Sequence, residues 1–130
     1  PNKNRALVID DDPAARKIMT LFLKNEVELD SASTCEEAIS FINSNYYSLV
    51  FMDISLGKGT NGIDLMKSIR KINGCSDTPI IAVTAHAMVG DKEKFLSSGF
   101  NDYLSKPFSK NDLLHKTLNW VNSYSDQSLA

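Results

Sequence analysis

The sequence predicts a doubly wound α/β domain, a parallel sheet covered by helices on both faces. Short apolar runs alternate with stretches of helical spacing, five times over. Strict alternation of this kind calls for a parallel sheet with helices on either side. The length of 130 residues fits one ordinary domain, able to bury a core without staples.

Leu7-Val8-Ile9 is the first run, a buried strand that ends in Asp10-Asp11-Asp12. Asp12-Pro13 opens a helix, with Asp12 as N-cap and Pro13 at the first helical position, where a missing N–H costs nothing. Ala15, Ile18, Met19 and Phe22 keep helical spacing and are expected to form its core face. Val27 to Ala32 alternates as a half-buried strand does. Thr34 with Glu37 makes a capping box for a helix carrying Ala38, Ile39 and Ile42 on one side.

The third run, Leu49-Val50-Phe51-Met52, ends in Asp53 and is followed by a loop containing Gly57, Gly59 and Gly62. Ile63, Leu65, Met66 and Ile69 then return to helical spacing. Pro79 to Val83 is the fourth strand, ending in Thr84. A short helix is expected from Met88 to Ser98, with Gly99 placed to stop it. Asp102 to Ser105 is a brief fifth strand leading into Lys106-Pro107. Ser109 caps a last helix, which Leu113, Leu114, Leu118, Trp120 and Val121 are expected to dock on the sheet. The domain is expected to fill residues 1–124, with 125–130 a polar, frayed tail.

Right-handed crossovers and this length favour a flavodoxin-like (βα)5 strand order of 2-1-3-4-5. Ligands of such sheets bind outside the carboxyl ends of the strands, near the switch point between the first and third.

Composition narrows the function. Hydrophobic residues make up 42% and charged residues 23%, as in a soluble globular protein. The net charge of -2 offers no basic field for nucleic acid and no polybasic arm for a membrane surface. No apolar run approaches the roughly 18 residues of a membrane span, and no signal peptide opens the chain. Cys35 and Cys75, without metal-type spacing around either, point to a reduced, cytoplasmic setting. The first residue is Pro1 rather than methionine, as in a processed protein or a piece of a longer one.

The carboxyl ends carry the chemistry. Asp10, Asp11 and Asp12 follow the first strand, Asp53 the third, Thr84 the fourth and Lys106 the fifth. Gathered carboxylates repel one another and resist ionising together, and a divalent cation relieves this. Hard oxygen ligands select Mg²⁺, which takes one or two carboxylates, waters and a substrate phosphate. Lys106 supplies a fixed positive charge for an arriving anion. A carboxylate can then attack phosphorus, since phosphoryl transfer needs mainly positioning and neutralised charge. Asp12 before Pro13 reads as a helix cap rather than a metal ligand. His86 and His115 read as surface residues, with bordering the site the lesser alternative for His86; Cys35 and Cys75 read as packing or surface residues, and Trp120 and Tyr124 as core and rim of the last helix. Met52, Met66 and Met88 read as gap-fillers.

Over essentially its full length the chain resembles the receiver domain of two-component response regulators and hybrid histidine kinases. Four motifs carry the resemblance: Asp10-Asp11 after Leu-Val-Ile, Asp53 in Val-Phe-Met-Asp-Ile, Thr84-Ala85 after Ile-Ile-Ala-Val, and Lys106-Pro107 after Asp-Tyr-Leu-Ser. The resemblance implies that Asp53 is the phosphoacceptor. It implies Mg²⁺ held by Asp10, Asp11, Asp53 and the backbone carbonyl of Ser55, with Asp11 the direct ligand of the pair. Thr84 would bond the phosphoryl oxygens, Lys106 would pair with them, and Tyr103 would report the change to the fourth and fifth units. A cis bond before Pro107 would aim Lys106 into the site.

The implied partners are a histidine kinase or histidine phosphotransfer protein, recognised around the first helix. The chain itself is expected to be a monomer or weak homodimer and not an enzyme, the phosphoryl transfer being self-catalysed. Such domains usually read Asp-x-x-Met-Pro after the acceptor, with a glycine eight residues on. Here the run is Asp53-Ile-Ser-Leu-Gly57 and Gly62 lies nine residues on, a longer loop without proline. Glycine-rich loops of this kind point to a receiver attached to a hybrid kinase.

Three other functions compete. A haloacid-dehalogenase-type phosphatase would use an Asp after the first strand, but Pro13 stiffens that loop and the chain lacks room for a substrate cap. An FMN carrier of the flavodoxin type needs a phosphate loop there, and three aspartates would repel the phosphate. A receiver-shaped interaction module that never takes phosphate keeps all the same residues.

Overall fold

The computed structural model describes residues 4–56, 61–85 and 88–129, with side chains described as far as Val121. The loop glycines Gly57 and Gly59, His86 and the Tyr124 side chain lie outside the described residues.

Five strands alternate with five helices: β1 (Asn4–Ile9), α1 (Pro13–Leu23), β2 (Val27–Ala32), α2 (Cys35–Ser44), β3 (Leu49–Asp53), α3 (Gly62–Arg70), β4 (Ile80–Thr84), α4 (Asp91–Ser98), β5 (Asp102–Ser105) and α5 (Lys110–Leu129). All four strand pairings are parallel, and the sheet order is β2-β1-β3-β4-β5, as expected. The apolar runs divide by parity. Leu7, Ile9, Val50, Met52, Ile80 and Ala82 pack into a core beneath α2, α3 and α4. Ala6, Val8, Leu49, Phe51, Ile81 and Val83 pack into a second beneath α1 and α5. Both faces of the central strands are thus dry, which is why their sequences do not alternate.

The helix starts follow local chemistry. Asp12 Oδ1 accepts the Ala14 N–H at 3.0 Å and Pro13 begins α1. Thr34 Oγ1 accepts the Glu37 N–H at 3.1 Å, while the Glu37 carboxylate reaches back to the Ser33 amide and hydroxyl rather than closing on Thr34 alone. Ser109 Oγ accepts the Asp112 N–H at 3.0 Å, and Asp112 accepts from the Ser109 amide. Gly99 ends α4.

Several expectations are corrected. Ile18 is 45% exposed, and Met19 and Leu23 are the buried residues of α1; spacing alone does not say where the buried stripe is centred. Leu118 is 39% exposed for the same reason, while Leu113 and Val121 are buried and Leu114 and Trp120 pack partly against them. Met88 is 75% exposed rather than a gap-filler, because α4 begins at Asp91. A turn precedes it, in which the Asp91 N–H donates to the Met88 carbonyl and the Asp91 carboxylate accepts the Met88 N–H. Strand β4 starts at Ile80, although the Pro79 carbonyl already accepts the Val50 N–H at 2.9 Å. Helix α5 spans Lys110–Leu129, with no glycine or proline inside it.

Candidate functional site

The carboxyl edge of the sheet brings together side chains from four strand ends. Ile9 pairs with Met52 and Asp53 pairs with Val83, so Asp10 and Asp53 leave adjacent strands at neighbouring levels. Thr84 pairs with Ser105, and the Lys106 N–H donates to the Thr84 carbonyl at 2.8 Å, which delivers Lys106 to the same edge. The Lys106–Pro107 bond is cis.

Asp10, Asp11 and Asp53 each present a carboxylate oxygen such that the three lie within 4.8 Å of one another. Asp10 is buried and Asp11 exposed. The Asp53 side chain is 10% exposed. Lys106 Nζ stands 2.9 Å from Asp10 Oδ2 and 3.7 Å from Asp53 Oδ2. Among the described residues, one ammonium pairs with two of the three grouped carboxylates, so their negative charge is only partly balanced there.

The proton affinities record that imbalance. Burial first, and the Asp10 charge second, push Asp53 up to about 6, against the opposing pull of the Ser55 amide and Lys106. Burial works against the charge on Lys106, but its hydrogen bond to Asp10 and the charges of Asp10, Asp53 and Asp12 hold it above its ordinary value. Asp10 is the better satisfied acid, since Oδ1 also accepts the Asp12 N–H at 2.9 Å. Asp53 Oδ1 accepts the Ser55 N–H at 3.1 Å.

The donor set is all oxygen, with no thiolate or imidazole among the grouped residues. Hard ligands of this kind suit Mg²⁺, and three gathered carboxylates fit the charge of a divalent ion. Asp12, outside the three grouped acids, caps α1, as read from Pro13. Thr84 is buried at the end of β4. Tyr103 is partly buried and packs against the core beneath α2, α3 and α4. His115 is exposed, and Cys35 and Cys75 are part-buried against the same core as Tyr103.

Two features escaped the sequence reading. Arg16 Nη1 donates to the Asp10 carbonyl at 2.7 Å, so a residue of α1 braces the acidic turn. Its position one turn into a helix that starts beside the acids was the available clue. Residues Asn61 and Gly62 close the loop after Asp53: the Gly62 N–H donates to the Ile54 carbonyl at 2.9 Å, and Ser55 and Asn61 form an antiparallel bridge. Such a backbone pairing across a loop leaves no periodic trace.

Known proteins resemble this chain in sequence and in fold. The response regulator receiver domain family matches residues 6–118. The chain is 34% identical over 113 residues to the signal transduction histidine-protein kinase BarA of Escherichia coli strain K12, covering 86% of this chain and 12% of that protein. It is 37% identical over 123 residues to hybrid signal transduction histidine kinase I of Dictyostelium discoideum, covering 88% and 7%. The chain thus spans a small fraction of these relatives. Among solved structures, the receiver domain of Francisella response regulator 1452 superposes with a TM-score of 0.82 at 31% identity, over 93% of this chain and 98% of that one. By sequence and by fold, this chain belongs to the response regulator receiver domain family.

Proposed function

We propose that the chain is the phosphoacceptor switch of a two-component phosphorelay, in which Asp53 takes a phosphoryl group from a phosphohistidine donor. The observation that carries this is the convergence of Asp10, Asp11 and Asp53 within 4.8 Å, opposite Lys106. An Asp53 carboxylate oxygen attacks phosphorus, the new O–P bond forms as the donor's N–P bond breaks, and the electron pair stays on the imidazole nitrogen. With its other nitrogen protonated, the imidazole leaves neutral. Asp10 is a poor nucleophile, being bound by Lys106 and the Asp12 amide, which argues against phosphatase chemistry begun at the first strand.

Mg²⁺, held by Asp11, Asp53 and the Ser55 carbonyl with Asp10 alongside, would neutralise charge on the transferring phosphoryl group. Lys106 exchanges part of its hold on Asp10 for the new anion, and the Thr84 hydroxyl bonds a phosphoryl oxygen. The rearrangement at Thr84 then draws on Tyr103, one strand away, and changes the face formed by α4, β5 and α5.

The donor, a histidine kinase or histidine phosphotransfer protein, docks beside the site. A cavity of about 420 Å³ there is lined by Ala14, Ala15, Ile18, Lys106, Pro107 and Phe108, and Ile18 is exposed to meet a partner. The reading makes the chain a self-phosphorylating acceptor rather than an enzyme with a turnover substrate, working in the cytoplasm. The relatives of which it spans 12% and 7% favour a receiver carried within a larger hybrid kinase.

Acetyl phosphate with Mg²⁺ tests the reading. Intact mass is expected to rise by one phosphoryl group in the wild type and not in Asp53→Asn. A wild type that gains no mass would leave an interaction module that takes no phosphate; a gain that survives in Asp53→Asn would move the acceptor elsewhere.

A further inference from the structure

We infer that Asn61 and Gly62 are positioning residues for the acidic site, pinning the base of the loop that follows Asp53 so that the Asp53–Ser55 backbone is held in place. The inference rests on the phosphoacceptor reading of that site. A Cβ added at Gly62 would lie 2.5 Å from the Asp53 carbonyl oxygen and 2.9 Å from Ile54 Cα. Both neighbours are backbone, so neither can swing aside as a side-chain tip could. By helix propensity alone, alanine would be the better residue at this first position of α3. The absence of a side chain therefore serves the close approach of α3 to the end of β3.

The contact is locked from both sides. The Gly62 N–H donates to the Ile54 carbonyl at 2.9 Å, while the Ile54 N–H donates to Val83 across the sheet at 3.0 Å. Ser55 pairs with Asn61, and Asn61 Oδ1 accepts the Ile63 N–H at 2.7 Å as the cap of α3. Because the Ser55 amide also bonds the Asp53 carboxylate, any shift of Ser55 is passed directly to the phosphoacceptor.

The test uses Gly62→Ala, Asn61→Ala, the conservative Asn61→Ser, and Gly74→Ala as a control. Gly74 has φ +88° with nothing within 4 Å of an added Cβ, so its substitution strains the backbone far from the contact in question. Three quantities are read: the Mg²⁺ dissociation constant by calorimetry with Mg²⁺ alone, the rate of phosphoryl gain from acetyl phosphate, and metal-free thermal unfolding. Gly62→Ala is expected to weaken Mg²⁺ binding about tenfold and to slow phosphoryl gain by about 10- to 100-fold. Gly74→Ala is expected to lose stability with both site measurements unchanged. Asn61→Ala is expected to weaken Mg²⁺ binding less, and Asn61→Ser to restore it, a pair that carries the test if Gly62→Ala does not fold. A wild type that binds Mg²⁺ and takes phosphate, beside Gly62→Ala and Asn61→Ala proteins that do so equally well, overturns the positioning role alone. A wild type that does neither removes the phosphoacceptor reading, and the positioning role falls with it.

Discussion

Asp53 and Asp102 are both largely buried carboxylates at strand ends, with side chains 10% and 15% exposed, yet their protons are held in opposite directions. At Asp102, burial alone would raise the proton affinity, but hydrogen bonds from Lys116 Nζ at 2.7 Å, Trp120 Nε1 at 2.8 Å and the Tyr103 amide at 2.8 Å outweigh it and lower the pKa. At Asp53, burial is joined by the charge of Asp10, and the Ser55 amide and Lys106 at 3.7 Å oppose them without prevailing, so the pKa rises to about 6. The difference lies in the donors supplied, not in residue type or depth. A carboxylate given its donors ties β5 to α5; one left short of them is the group proposed above to take a cation and a phosphoryl group.

Substitutions can break this contrast at either end. The largest effect is expected from Asp102→Ala, which strips three donors of their acceptor and should cost about 2–3 kcal/mol at neutral pH in denaturant unfolding. Its pH dependence has a definite sign. The folded pKa lies below the ordinary value, so the Asp102 contribution is present above that value and is lost as pH falls through the folded pKa. A mutant whose deficit persists undiminished in strong acid would show that the carboxylate's charge is not what holds the staple.

Next in size is the response to Mg²⁺. Saturation at a hundred times the dissociation constant should add about 2.7 kcal/mol to the wild type. Asp11→Asn, which leaves the buried pair intact, should need more Mg²⁺ for the same gain in thermal midpoint.

The smallest expected effect is a gain. Without metal, Asp53→Asn should stabilise the protein at pH 7 by about 1–2 kcal/mol, since it removes a carboxylate that is costly to ionise. Here the folded pKa of about 6 exceeds the ordinary 3.8, so wild-type stability falls as pH rises between the two values. The variant should lack that fall, and the two proteins should converge near pH 4. Equal stability across the range would mean that Asp53 is not strained by its neighbours.

Legibility in the sequence followed the range of the interactions involved. Capping at Asp12, Thr34 and Ser109 was readable because each side chain bonds a backbone group two or three residues away. The strand ends were readable because apolar runs stop where the sheet meets solvent. Ile18 and Leu118 were misplaced because periodicity identifies an apolar face but not how far neighbouring elements cover it, and Met88 because α4 starts later than its spacing suggested. The Arg16 brace and the Asn61 bridge to Ser55 were missed because each meets backbone beyond the reach of a cap, and Gly62 was noted only for its spacing from Asp53.

Chain order and residue type alone thus settled the alternation of elements, the parallel sheet and the gathering of acids, hydroxyl and ammonium at its carboxyl edge. Those features follow from local periodicity and from the topology that right-handed crossovers impose. Folding in three dimensions decided how the charges share their partners. Lys106 stands closer to Asp10 than to Asp53, and Lys116 and Trp120 reach Asp102, because each distance depends on the packing of separate elements.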